Sequence, residues 1–160
     1  MKDLIKYKIF EDTTKEEESI IIDDLNDILC DARDQNLEAT VTSERRGEVI
    51  GDSLRVEIHG IFNEDHVQDF SVPTFRFGDV FDVIYRSNEF LKTYSYIIQP
   101  IFAIKVHVGG GKRKDDDSQF IKIDDLERYS NKECSHVSLY WRIPISYEEM
   151  TKRLRGNSDD

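Results

Sequence analysis

Three histidines pose the first chemical question in this chain. His59, His107 and His136 each fall on the polar phase of an alternating stretch. Three imidazoles that converge can hold a catalytic zinc, here with Glu57 and Tyr140 close by. Histidines on the wetted face of a sheet are equally ordinary, and strand order is not written in one sequence, so no metal ligand is assigned. Residues 109–118, Gly-Gly-Gly-Lys-Arg-Lys-Asp-Asp-Asp-Ser, set glycines before a lysine. A phosphate loop needs GxxxxGK[ST] and then a helix whose first amides face the phosphates. Here Arg113 stands where Ser or Thr is required, and a strand follows. The stretch reads as a long mobile hairpin loop whose Lys112, Arg113 and Lys114 can touch a partner. Asp52 ahead of Glu57-Ile-His59 gives an incomplete outline of a metal-dependent nuclease, which sets an Asp and a Glu-x-Lys around a divalent ion. His59 replaces the lysine, and Asp52 is too close to Glu57 for the usual separate strands. Neither Cys30, Cys134 nor any serine sits in a nucleophile elbow or triad pattern. The expectation is a chain with no catalytic residue, metal or cofactor, and not an enzyme.

The strongest signal is electrostatic. Residues 11–34 hold ten acidic and two basic residues, a local charge of −8 out of −11 for the whole chain. On a helix, Ile21, Ile22, Leu25, Ile28, Leu29 and Ala32 make an apolar stripe, and Glu16, Asp23, Asp24, Asp27, Asp31 and Asp34 make the opposite one. Asp23, Asp27 and Asp31 recur every four residues and can share a cation weakly, but no EF-hand loop or Glu-x-x-His partner accompanies them. Like charges at this spacing oppose the helix by a few tenths of a kcal/mol per pair, and a face selected for solubility alone usually mixes signs. The stripe is either a solvated face or a docking face for a basic surface, such as the nucleic-acid groove of another protein.

Composition narrows the classes further. The chain has 160 residues, 38% of them hydrophobic and 34% charged, with 33 acidic against 22 basic. An excess of acid argues against general nucleic-acid binding, which needs a positive footprint, and against docking on anionic lipid. No run approaches the roughly 20 apolar residues of a membrane span, and the first ten residues alternate rather than forming a signal-peptide core. Two cysteines 104 positions apart make neither a framework nor a CxxC pair, which fits a reduced cytosolic protein with two free thiols.

The elements that would position these groups can be read from periodicity. Residues 3–10 alternate as a strand with Ile5, Tyr7 and Ile9 on one face. Thr13 or Thr14 then caps the acidic helix, each with a glutamate three positions on, and Asn36 stops it. Leu37, Ala39 and Val41 begin a strand, 43–53 is a turn, and Leu54, Val56 and Ile58 alternate as the next strand. A polar loop over 62–74 closes at Pro73. A second helix runs from Gly78-Asp79 to about Tyr94, with Phe77, Val80, Phe81, Ile84 and Leu91 inward. Phe102, Ile104, Val106 and Val108 are expected to face inward on the following strand, against Ala103, Lys105 and His107, with Pro100 at an edge or bend. A short strand lies near Phe120–Ile123. Val137, Leu139, Trp141, Ile143 and Ile145 mark the last.

The order β-α-β-β-α-β-β-β predicts an α+β fold: a two-layer sandwich with an antiparallel or mixed sheet of about five or six strands and two helices on one face. Residues 1–150 form one domain, and 151–160 a flexible tail. A short acidic chain of this helix-strand texture, dense in Asp, Ile, Tyr and Phe, resembles the small accessory proteins of tailed bacteriophages. That resemblance covers most of the chain, rests on no motif and transfers no residue role. It implies a host-takeover factor in the host cytoplasm or a minor virion component. Two functions follow as expectations. One is a non-catalytic protein docking on a basic host protein through the acidic helix. The other is a structural or assembly component that self-associates through its sheet. Neither binds nucleic acid directly or a membrane, and the oligomeric state is left open.

Overall fold

No glycine or proline interrupts the first 46 residues, and a helix once nucleated extends at little cost. In a computed structural model of the chain, helix α1 therefore runs unbroken over Lys2–Arg33. This corrects the strand expected at 3–10 and the cap expected at Thr13 or Thr14, which lie inside the helix. The structure describes the backbone of residues 2–45, 52–65, 72–109, 112–143, 151, 152 and 155, and side chains within 17–43, 53–65, 72–105, 118–143, 151, 152 and 155. The expected tail beyond 150 falls mostly outside them.

The stop of α1 is where the sequence placed it. Asn36 has φ 62°, the left-handed conformation that ends helices and that Asn tolerates better than most residues. Eight strands among the described residues make up the sheets, the first seven being β1 (Leu37–Arg45), β2 (Asp52–Gly60), β3 (Phe75–Arg76), β4 (Ile97–Ile98), β5 (Ile101–Gly109), β6 (Lys112–Ile121) and β7 (Glu133–Cys134). Strand β8 (His136–Arg142) is the last, and helix α2 spans Phe81–Lys92 behind a 3-10 turn at Phe77–Val80. Strands β1, β2, β8, β5 and β6 lie in that order in an antiparallel sheet, with β4 paired to β8; β3 and β7 form a separate pair. The chain is thus an α+β sandwich, with a sheet of six strands and helices α1 and α2 on one face.

The core lies between the sheet and the helices. Leu25, Leu29 and Ala32 of α1 meet Ile84 and Leu91 of α2, Leu54, Val56 and Ile58 of β2, and Val137, Leu139 and Trp141 of β8, all fully buried or nearly so. Each such aliphatic side chain contributes roughly 1.5–3 kcal/mol by leaving water. Leu54 pairs with Trp141, Val56 with Leu139 and Ile58 with Val137, so three buried rows cross from β2 to β8. Arg86 of α2 pins α1 through Asp31 and also reaches Asp82 at 3.4 Å. Arg33 at the end of α1 donates through Nη2 to the Ala39 carbonyl at 2.8 Å, occupying an acceptor of the edge strand β1.

Two expectations about β5 and β6 are corrected. The inward residues of β5 are Ile101 and Ala103, both buried, while Phe102 and Ile104 sit half-buried on the other face. Register decides this: Ala103 pairs with Val137, so it shares Val137's side of the sheet. Both phases of this strand carry apolar residues, and periodicity alone cannot choose between them. Lys112–Ser118 is strand rather than mobile loop, with Lys112, Arg113 and Lys114 paired to Gly109, Val108 and His107. Charges are tolerated there because β6 is an edge, where they discourage pairing with other chains. The side chains of those three cations lie outside the described residues. The segment expected as strand near Phe120–Ile123 ends at Ile121, and a 3-10 turn over Ile123–Tyr129 follows.

Adjacent positions of α2 should respond to substitution with opposite signs. The indole N–H of Trp141 donates to Asn88 Oδ1 at 3.1 Å in the interior, while the buried Ser87 hydroxyl has no partner among the described residues. Asn88→Ala strands the indole donor and should cost about 1–3 kcal/mol, whereas Ser87→Ala should be neutral or stabilise by up to about 1 kcal/mol. Urea unfolding followed by fluorescence of Trp141, the single tryptophan, measures both.

Candidate functional site

On the sheet face away from the helices, alternation turns the polar phase of β1, β2 and β8 outward. Glu38 pairs with His59, and His59 with His136, so the three stand in one row across three strands. Glu57, two residues before His59, pairs with Ser138. The imidazoles of His59 and His136 stack with ring centroids 5.9 Å apart and planes 5° from parallel. His59 faces Glu38 Oε2 with Nε2 at 3.1 Å and its own strand's Gly60 carbonyl with Nδ1 at 3.0 Å. His136 turns Nε2 to Glu57 Oε2, and the Ser138 hydroxyl donates to Glu57 Oε1 at 2.9 Å. Arg55 lies 3.8 Å from the same Glu57 oxygen and 5.8 Å from the Tyr140 ring centroid, a cation–π contact that orients the guanidinium.

These contacts set the charge state of Glu57. Partial burial pushes its carboxyl up, but the hydrogen bonds from His136 and Ser138 and the positive charges of His136 and Arg55 outweigh that, holding it below the usual 4.5. Donors to the charged form favour it.

The structure thus brings together His59, His136 and Glu57 of the group singled out in the sequence, with Tyr140 one row away. His107 lies on the stretch of β5 beyond Ile104, the last residue paired with β8, and its side chain is outside the described residues. Both ring nitrogens of His59 and Nε2 of His136 each face an oxygen, and no three His, Cys, Asp or Glu side chains among the described residues are grouped around a metal position. Asp52 begins the strand that carries Glu57, five positions earlier on the same strand rather than on a separate one, and its side chain lies outside the described residues. Sequence reading missed Glu38, whose strand carried the right phase but whose pairing with His59 depends on the β1–β2 register.

The acidic helix keeps its division into two faces. Asp23, Asp24, Asp27, Asp31 and Asp34 are exposed, opposite buried Ile21, Leu25, Leu29 and Ala32. Asp31 is committed to Arg86, and the side chain of Glu16 lies outside the described residues. Cys30 is exposed and Cys134 buried, both as free thiols. Burial pushes the Cys134 thiol up to about 11, against a smaller opposing pull from Lys132, so it is inert as a nucleophile at neutral pH. No described helix is long and apolar enough to cross a membrane. No protein-family model, curated protein or solved structure matches the chain.

The depressed Glu57 carboxyl makes a signed prediction. A group whose folded value lies below its unfolded one contributes stability above the unfolded value and loses it as pH falls through the folded one. Glu57→Gln should therefore destabilise the protein at neutral pH, and the gap to wild type should narrow progressively as pH falls below 4.5. Urea midpoints across the acid range test this; a gap constant with pH would contradict it.

Proposed function

We propose that this chain is a non-catalytic binding protein that docks on a basic partner protein through the outward face of α1. One observation carries the reading. Asp23, Asp24, Asp27 and Asp34 are exposed along a helix whose opposite side is locked into the core by Leu25, Leu29 and Ala32. The row is held rigidly because the helix cannot turn without expelling those side chains. Carboxylates four residues apart recur at about 6 Å of rise, a rigid line of negative charge of the kind a nucleic-acid-binding groove is built to receive. The field speeds encounter with a basic surface and fades with salt. The resemblance to phage accessory proteins supports a host protein as that partner, met in the host cytoplasm.

A second reading, a structural component that self-associates through its sheet, draws support from one side chain. Phe120 is 75% exposed on the edge strand β6, against Phe102 with ring centroids 5.0 Å apart. Large exposed aromatics at a sheet edge mark contact surfaces.

The experiment compares wild type with a variant carrying Asp23, Asp24, Asp27 and Asp34 changed to Asn, leaving Asp31 to its Arg86 bond. Relief of like-charge repulsion should let the variant melt no lower than wild type. In a pull-down from bacterial lysate, wild type is expected to retain a basic protein at low salt, and the variant and high salt to lose it. Equal profiles for the two proteins would sink the docking reading. Size-exclusion chromatography of Phe120→Ser then decides the second one: a wild-type oligomer that the substitution dissociates supports it, and a wild-type monomer removes it.

A further inference from the structure

Both edges of the main sheet are guarded, and its open face is not. At β1 the Arg33 guanidinium occupies the Ala39 carbonyl through Nε and Nη2. At β6 the run Lys112–Asp117 sets consecutive charged residues along the other edge. Both devices discourage the addition of a further strand. The face away from the helices has a different character. Ile97 pairs with Arg142, Phe102 with Ser138 and Phe120, and Ile104 with His136. Paired residues share a face, so Ile97, Phe102, Ile104, Phe120 and Tyr140 turn outward together. Ile97 and Phe120 are 53% and 75% exposed, and Phe102, Ile104 and Tyr140 are half-buried.

Charge and area decide what can cover this strip. Among the described side chains on the outward phase of these strands, Glu38 and Glu57 are balanced by Arg55 and Arg142. The face is therefore neutral, in a chain that carries −11 overall. By contrast, α1 exposes Asp23, Asp24, Asp27 and Asp34, and the 3-10 turn Ile123–Tyr129 sets Asp124, Asp125 and Glu127 against Arg128. Two copies repel through those acidic surfaces and approach at least cost through the neutral one. The sheet path has five strands, and β8 has seven residues. At about 4.8 Å between strands and about 3.4 Å per residue, that gives a face of roughly 500 Å² once side-chain width is included. Two such faces bury about 1,000 Å², which reaches the lower bound for a specific contact and falls short of the roughly 1,600 Å² of a standard one.

We propose that a second copy of this chain covers the open face, giving a reversible two-fold dimer with the sheets face to face. Each copy sets Phe120 on the apolar strip of the other. In a two-fold contact a patch meets itself, so it has to be apolar and charge-balanced at once, as this face is. The contact rests on the self-association reading and moves it from the sheet's edge to its face. It leaves the acidic side of α1, on the opposite side of the sheet, free for a different partner.

The test is sedimentation velocity of the full chain, in reductant so that exposed Cys30 cannot cross-link copies. At about 0.15 M salt, where charges more than about 8 Å apart are largely screened, a monomer at low concentration is expected to become a dimer at high concentration. Ile97→Asp and Tyr140→Asp each bring like charges into the contact and should raise the dissociation constant at least about tenfold. Tyr140 lies on β8 between β2 and β5, so its effect cannot come from an edge. Ser43→Pro should leave the dimer unchanged. Ladder alternation from the outward Ala39 carbonyl places the Ser43 N–H on the unpaired side of β1, where its loss affects only edge pairing. A measurement that needs no variant guards against misfolding. In NMR on dilution of wild type, the ring signals of Phe102, Phe120 and Tyr140 should move, and the amide signals of Asp23, Asp24 and Asp27 should stay. A chain monomeric at every concentration overturns the dimer and the self-association reading with it, and leaves the face to another partner. An oligomer that survives Ile97→Asp and Tyr140→Asp but is lost in Ser43→Pro overturns the face contact alone and keeps that reading at the edge.

Discussion

Everything on both faces of this sheet depends on the register of β8. It is the last of the described strands, yet it lies between β2 and β5, so the sheet closes only when residues 136–142 insert between elements that precede them. Insertion in this register sends Val137, Leu139 and Trp141 into the core and His136, Ser138 and Tyr140 to the open face. A slip of one residue would reverse all six. The cost of that slip is large because Trp141 is fully buried and hydrogen-bonded to Asn88 of α2. The same bond that ties the helix layer to the sheet thereby holds the histidine row in line.

Charge is distributed between the layers in a consistent way. Where two elements must be joined at the surface, a cation is supplied: Arg86 between α2 and α1, Arg33 between α1 and β1, and Lys105 reaching Glu133 of β7 at 2.6 Å. Exposed pairs of this kind contribute little individually, and their main effect is to set orientation. Asp23, Asp24, Asp27 and Asp34 of α1 meet no such cation among the described residues, which leaves a strongly negative strip on an otherwise mixed surface. On the sheet's far side the carboxylates Glu38 and Glu57 are met by imidazoles and by Arg55, so acid is compensated there and left open on the helix.

Helix α1, the alternating strands and their inward residues were legible from the sequence wherever a single phase was apolar. Leu54, Val56 and Ile58, and again Val137, Leu139 and Trp141, alternate with polar residues, and alternation of that kind admits one packing. The division of α1 into an apolar and an acidic stripe was equally plain, because 3.6 residues per turn maps sequence spacing directly onto angle. Asn36 ended the helix as its type implies. Residues 3–10 misled because they alternate as a strand would, while the absence of any breaker lets the downstream helix extend through them.

What sequence alone could not supply was every relation between elements distant in the chain. Which phase of β5 faces inward followed from Ala103 pairing with Val137, a contact across more than thirty positions. The charged run at Lys112–Asp117 became a strand because β5 offered it a partner at the sheet edge. His59 and His136 were visible as candidates, but their meeting, their separation from the β8-paired part of β5 that leads to His107, and the arrival of Glu38 were decided by strand order. Local spacing determines which side of its own element a residue occupies; only the pairing of strands determines which other residues share that side.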